Sequence, residues 1–230
     1  MNGNTDGARL TEEALALLSE FYEINKGVVD AIMQSGSSCL PWIADPHDVD
    51  VLVVFKTYEY GKSKDATEKL NALRAAMAEV CPRVAILRAY VPLHCLLVTG
   101  DYERYSFLHR DRQQFPPYVY EYRYTIMLFG EDTSGITKID LLSGELRSRY
   151  IDSLSRTADL IGDCLQDASR VGFAHKYMYH LLTGLAFLEN GLYELSDAQA
   201  AEISTAHSGF VDAQSLHEAR VRLNAIKEAR

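Results

Sequence analysis

Apolar residues recur at helical spacing near the start of the chain: Ala14, Leu17, Leu18, Phe21, Ile24, Val28 and Ile32. Thr11 can cap this helix, and Glu12 and Glu13 place negative charge in its first turn, where the helix dipole favours it. The pattern predicts a helix that delivers the chain to Ser35-Gly36-Ser37-Ser38. From Val49 to Phe55 the residues are β-branched or otherwise apolar, the signature of a buried strand. A polar stretch, Lys56 to Lys64, follows, with Gly61 marking a turn. Asp65 with Glu68 resembles a capping box, and Leu70, Leu73, Met77 and Val80 give the next helix its apolar stripe before Pro82 stops it. Two runs, Val84 to Val91 and Leu93 to Thr99, read as strands separated by Pro92 and closed by Gly100-Asp101. Tyr118 to Phe129 fits two descriptions: its alternation suits a strand, and its position before Gly130 suits a short helix.

Beyond Gly144 the pattern turns helical. Ile151, Leu154, Ala158, Ile161, Leu165 and Ala168 define one apolar face. Phe173 to Leu188 is apolar on nearly all sides, which predicts a central helix, and Asn190-Gly191 is a left-handed stop signal. Ser196 with Gln199 forms another box-like start, and Leu216 to Ile226 a last amphipathic helix. The expected organisation is an α/β (α+β) domain over residues 1–144, followed by a C-terminal helical bundle over residues 145–230.

Composition narrows the functional classes. A length of 230 residues with 47% apolar content supplies an ample core. A formal charge of -9 argues against a general nucleic-acid binder, which needs a basic face to replace counterions, and disfavours long duplex DNA as an acceptor. Cys39, Cys81, Cys95 and Cys164 lie far apart without a CxxC pair, which suggests buried thiols and a reducing, cytoplasmic compartment. The polar N-terminus has no apolar signal core, and no segment approaches the run of about 18 apolar residues that a membrane helix needs.

The chemistry concentrates between residues 35 and 55. Asp48 and Asp50 stand two apart at the start of the predicted strand, so their carboxylates project from one face, roughly 7 Å apart along it. Such a pair repels itself unless a cation sits nearby, and divalent metals held by carboxylates drive in-line phosphoryl displacement. Upstream, Gly36 lets backbone approach a phosphate, consecutive N–H groups can form an anion nest, and Ser35, Ser37 and Ser38 add hydroxyl donors.

Gly36-Ser37, ten residues (Ser38 to His47), then Asp48-Val49-Asp50 on a strand resembles the motif of the DNA polymerase β-like nucleotidyltransferase superfamily. The resemblance covers roughly residues 10–130. It implies a short mixed sheet with flanking helices, a triphosphate held by Gly36, Ser37 and Ser38, and Mg2+ or Mn2+ held by Asp48 and Asp50. Ser35 departs from the pattern, since the family usually has an apolar residue there. The family also carries a third carboxylate on a neighbouring strand, where the best local match, Leu93-His94-Cys95-Leu96-Leu97, offers His94. A neutral histidine can ligate metal or act as a base near neutral pH. Asp101, Glu103, Glu131, Asp132 and above all Asp140, in Lys138-Ile139-Asp140-Leu141, are substitutes. Positive charge for the departing pyrophosphate could come from Lys62, Lys64, Arg88 or, on the predicted central helix, Lys176. Tyr118, Tyr120, Tyr122 and Tyr124 could stack a base.

The expectation is a Mg2+-dependent nucleotidyltransferase that moves a nucleoside monophosphate from an NTP to a hydroxyl or phosphate. By analogy within the family, a small-molecule acceptor is preferred over a protein or a tRNA end. Two other expectations follow from the same residues: an NTP-binding regulatory module without turnover, and a toxin–antitoxin component acting on tRNA or protein. Either a monomer or a homodimer fits the sequence.

Overall fold

The computed structural model describes residues 9–101, 103–108, 115–142, 144–191, 193–207 and 211–229. The chain forms two compact units. The first comprises Met1–Gln113 and Glu121–Ile139, the second Gln114–Tyr120 and Asp140–Arg230.

In the first unit, helix α1 (Glu12–Asn25) starts where the sequence places it, with the Thr11 hydroxyl accepting from Ala14 N–H. It stops earlier than expected. Val28 and Ile32 do not continue it, because Val29–Ser35 is strand β1, almost wholly buried. Ile24 explains the misreading: it fits the helical stripe by spacing yet is 72% exposed, so the stripe had already left the core. Because β1 is buried on both faces, Asp30 and Ser35 included, it carries no clean period of two, and the overlap of Val28 and Ile32 with helical spacing is fortuitous.

Strand β2 (Val49–Phe55) pairs antiparallel with β1, Ser35 standing opposite Asp50 and Met33 opposite Leu52. Helix α2 (Tyr58–Gly61) occupies the stretch expected to be a polar turn. Helix α3 (Lys64–Val80) is capped by Ser63, which accepts from Ala66 N–H. Asp65, expected in that capping role, instead accepts from the Tyr60 hydroxyl at 2.6 Å and pairs with Lys69 at 3.0 Å. The helix returns the chain to β3 (Val84–Tyr90), parallel to β2, because a parallel neighbour requires a crossover of this kind.

The segment Leu93 to Thr99 corrects a second expectation. It is helix α4 (Val91–Thr99), with Pro92 in its first turn and Gly100 as a left-handed C-cap. Proline at the start of a helix sacrifices no hydrogen bond, so the residue read as a strand separator is a helix initiator. The tyrosine-rich run contains both of its alternatives in succession: a 3-10 helix, Val119–Tyr124, then strand β4 (Ile126–Gly130). β4 pairs antiparallel with β1, completing a four-stranded mixed sheet in the order β3-β2-β1-β4.

On one face of this sheet, Val49, Val51, Val53 and Phe55 pack with Val29, Ile32 and Ile86 against Ala14 and Leu18 of α1 and Leu70, Leu73 and Met77 of α3. Alternation turns Asp50, Leu52 and Val54 to the other face.

The second unit consists mainly of helices α5 (Gly144–Leu165), α6 (Val171–Asn190), α7 (Asp197–His207) and α8 (Ala213–Glu228). Helix α6 packs on the other three and is continuously buried from Met178 to Leu188, as an all-round apolar helix must be. Gly184 permits the close crossing with α5: a Cβ there would lie 2.7 Å from the Tyr150 hydroxyl. The expected box at Ser196 and Gln199 forms, Ser196 N–H donating to Gln199 Oε1 at 3.0 Å. No helix among the described residues is long and apolar enough to cross a membrane.

Candidate functional site

The β1–β2 connection builds the site. At the end of β1 the chain turns at Gly36, whose φ is +74°, and enters a short 3-10 helix, Ser37–Cys39. An L side chain is disfavoured at that φ. Space forbids it as well, because a Cβ on Gly36 would lie 2.3 Å from Asp50 Oδ2. The backbone of the turn is thus pressed against the carboxylate that the motif pairs with it. Ser38 is fixed within the turn, accepting from Gln34 Nε2 at 3.2 Å and donating to the Ser35 carbonyl at 3.2 Å. Cys39 N–H donates to the Gly36 carbonyl and Leu40 N–H to that of Ser37.

Asp48 is exposed immediately before β2, and Asp50 is half-buried within it. Val49, between them, is buried in the α1/α3 core and anchored by its N–H on the Arg83 carbonyl at 2.9 Å. Burying Val49 inward therefore turns both flanking carboxylates outward.

The neighbouring strand supplies no third acid. In the β2–β3 register, Ala85, Leu87 and Ala89 stand beside Asp50, Leu52 and Val54, and none can ionise. A further acid is Glu121, on the 3-10 segment, buried to 8% exposure. Its segment is tied to β1 by Thr125, whose hydroxyl lies 3.4 Å from Ser35 Oγ and 3.3 Å from the Glu121 carbonyl. Burial chiefly pushes the Cys39 thiol up, and the charges of Glu121 and Asp50 add to that push. The fields of both carboxylates thus reach the Cys39 side of the turn. Sequence reasoning passed over Glu121, although an acid set among four tyrosines is itself a signal, because an aromatic run rarely buries an acid without a partner.

The other expected residues are placed as follows. His94 lies on α4, not on a strand, with no exposed surface and neither ring nitrogen hydrogen-bonded. Burial holds it neutral, lowering its pKa to about 4. A reacting group has no access to its ring in this conformation. Asp140 is exposed in the second unit and accepts from Leu142 N–H at 3.0 Å, in a turn leading into α5 where a strand was expected. Asp132 is committed to its own loop: Ser134 Oγ, Thr137 Oγ1 and the N–H groups of Ile136 and Thr137 converge on it and, against the effect of burial, hold its pKa below the usual carboxylate range.

Among the basic candidates, Arg88 donates to Thr67 Oγ1 on α3. Lys64 pairs with Glu68 at 3.5 Å, and the Lys62 ammonium sits over the rings of Tyr58 and Tyr90. Lys176 is exposed on α6. The tyrosines divide: Tyr118 and Tyr120 pack on His180 of α6, while Tyr122 packs on His94 and Tyr124 edge-on against Trp42 at 5.0 Å. None of the four cysteines is in a disulfide. Among the described residues, no group of three or more His, Cys, Asp and Glu forms a metal cage. That donor set still suits Mg2+, which takes one or two protein carboxylates and completes its shell with water and substrate phosphate. No family model, curated protein or solved structure matches the chain.

Proposed function

We propose that the chain is a nucleotidyltransferase of the polymerase β-like kind, transferring a nucleoside monophosphate from an NTP to a hydroxyl of a small-molecule acceptor. The observation that carries this reading is the Gly36 turn packed against the Asp50 carboxylate, with Asp48 beside it. The order Gly-Ser turn, Asp48, then β2 with Asp50 supports it further. Gly36, Ser37 and Ser38 receive the triphosphate through backbone N–H groups and hydroxyls. Asp48 and Asp50 would hold Mg2+, which supplies neutralising charge for the departing pyrophosphate. Glu121 takes the proton of the acceptor hydroxyl as its oxygen bonds to the α-phosphorus and the bond to pyrophosphate breaks. The acidic balance of the chain favours an acceptor other than long duplex DNA.

A second reading, NTP binding without turnover, is favoured by one observation: β3 presents only Ala85, Leu87 and Ala89 beside Asp50. Pyrophosphate release from each NTP with Mg2+ separates the two. Release by wild type, abolished in Asp48→Ala/Asp50→Ala and lowered about 100-fold in Glu121→Gln, supports transfer with Glu121 as base. Binding without any release supports the second reading. Unchanged release in the double aspartate variant would sink both.

A further inference from the structure

His94 is the one side chain among the described residues for which two ring nitrogens are both buried and both without a hydrogen-bond partner. A structure gains nothing from burying such a group unless its shape is used. Its ring lies edge-on to Tyr122 at 5.1 Å, and Tyr122 adjoins Glu121 in the chain. We propose that His94 is a positioning residue: as a neutral ring it holds Tyr122, and with it Glu121, at the candidate site, and on protonation it releases α4 and this segment, switching the site off in acid. The role assigned to Glu121 rests on the nucleotidyltransferase reading; the protonation-driven release does not.

The surroundings support this. Helix α4 packs on β3, α2 and the 3-10 turn Ile136–Lys138. Those elements carry Arg88 and Tyr90, Tyr58, Glu59 and Tyr60, and Lys138 respectively; the segment of Tyr122 adds Glu121 and Arg123, and Tyr105 packs beside Leu96 of α4; none of them bonds a ring nitrogen of His94. Asp132 is the charged group whose field reaches the ring and favours the proton, but its carboxylate is already taken by four donors of its own loop. An imidazolium formed in place would have two buried N–H groups and no acceptor, so the protonated state is accommodated by opening. The sign is fixed by the depressed pKa. The closed form keeps its full advantage above the ordinary histidine value of about 6.5 and loses it as pH falls from there to about 4.

The test is hydrogen exchange of the full chain between about pH 7.5 and 4.5, corrected for intrinsic rates, in wild type, His94→Phe and His94→Gln. Neither replacement can take up a proton. In wild type, protection of amides in residues 91–99 and 121–124 should fall roughly tenfold per pH unit below about 6.5, and in either variant it should stay flat over that range. Pyrophosphate release should fall several-fold between about pH 7.5 and 5.5 in wild type and not in His94→Phe. Equal pH dependence of exchange in wild type and both variants, or wild-type protection independent of pH, would overturn the inference. Absence of NTP turnover at every pH would instead count against the proposed function, while the exchange comparison would still decide the role of His94.

Discussion

Gly36 meets two independent demands at one position, a positive φ and the absence of a Cβ where Asp50 Oδ2 already sits. Alanine fails both. Gly36→Ala should destabilise the first unit by about 1–3 kcal/mol, the cost of a strained backbone position, and weaken NTP binding by at least tenfold. Chemical denaturation with parallel ligand titration reads both effects. A variant of wild-type stability and affinity would show that the turn yields at no cost. At this scale the turn and the two aspartates were legible, because their relation is written in local spacing and in the period of a strand. Glu121 was not, because its approach to the Cys39 turn depends on a segment returning from about eighty residues downstream. His94 was legible as a residue but not as a place: the same run of Leu93 to Thr99 is apolar enough to be a strand or a buried helix.

Elements were legible where one face alone is buried. Helix α5 shows the apolar stripe its spacing predicts as far as Ile161, with Ile151, Leu154, Ala158 and Ile161 all buried, but it ends at half-buried Leu165 and leaves Ala168 exposed beyond it. Ambiguity arose in β1, buried on both faces with Asp30 and Ser35 inside the run, and in α4, apolar nearly all round, so that periodicity vanishes in both. Helix caps then matter more than pattern, as Pro92 and Gly100 demonstrate. Between helices of the second unit, Arg222 on α8 forms a bidentate pair with Glu189 of α6, both contacts at 2.8 Å, and reaches Glu202 of α7 at 3.1 Å. This guanidinium joins three helices, although Glu202 is too exposed for its contact to count for much. Arg222→Ala should cost about 1 kcal/mol, shrinking as salt is added. Urea titrations at low and high ionic strength measure this, and a salt-independent loss would assign the effect to packing of the side-chain stem.

For the whole molecule, the sequence pointed to a mixed α/β region followed by helices, because the hydrophobic period changes from mixed to helical beyond Gly144. It did not reveal that residues 114–120 group with the helices while Glu121–Ile139 groups with the sheet, a consequence of tertiary packing alone. Stability against acid belongs to this scale. In the helical unit His180 is buried, with Nδ1 3.1 Å from the Tyr120 hydroxyl, and burial, aided by the charges of Lys176 and His207, lowers its pKa to about 3. Its neutral form is favoured by folding, so the helical unit should lose stability as pH falls below about 6.5 and continue losing it toward pH 3, by roughly tenfold in the folding equilibrium per pH unit. His180→Gln should flatten that slope in acid unfolding followed by circular dichroism, and an unchanged slope would place the sensitivity in other groups.

On the proposed function, the Gly36 turn, Asp48 and Asp50 of β2 form one nucleotide site. Calorimetric titration of the four NTPs, with and without Mg2+, into wild type and Asp48→Ala/Asp50→Ala tests it most directly. Saturable, Mg2+-dependent binding to wild type is expected, lost in the double variant while its fold is retained. Failure of every NTP to bind wild type at millimolar concentration would contradict it and leave Asp48 and Asp50 as structural residues at the start of β2.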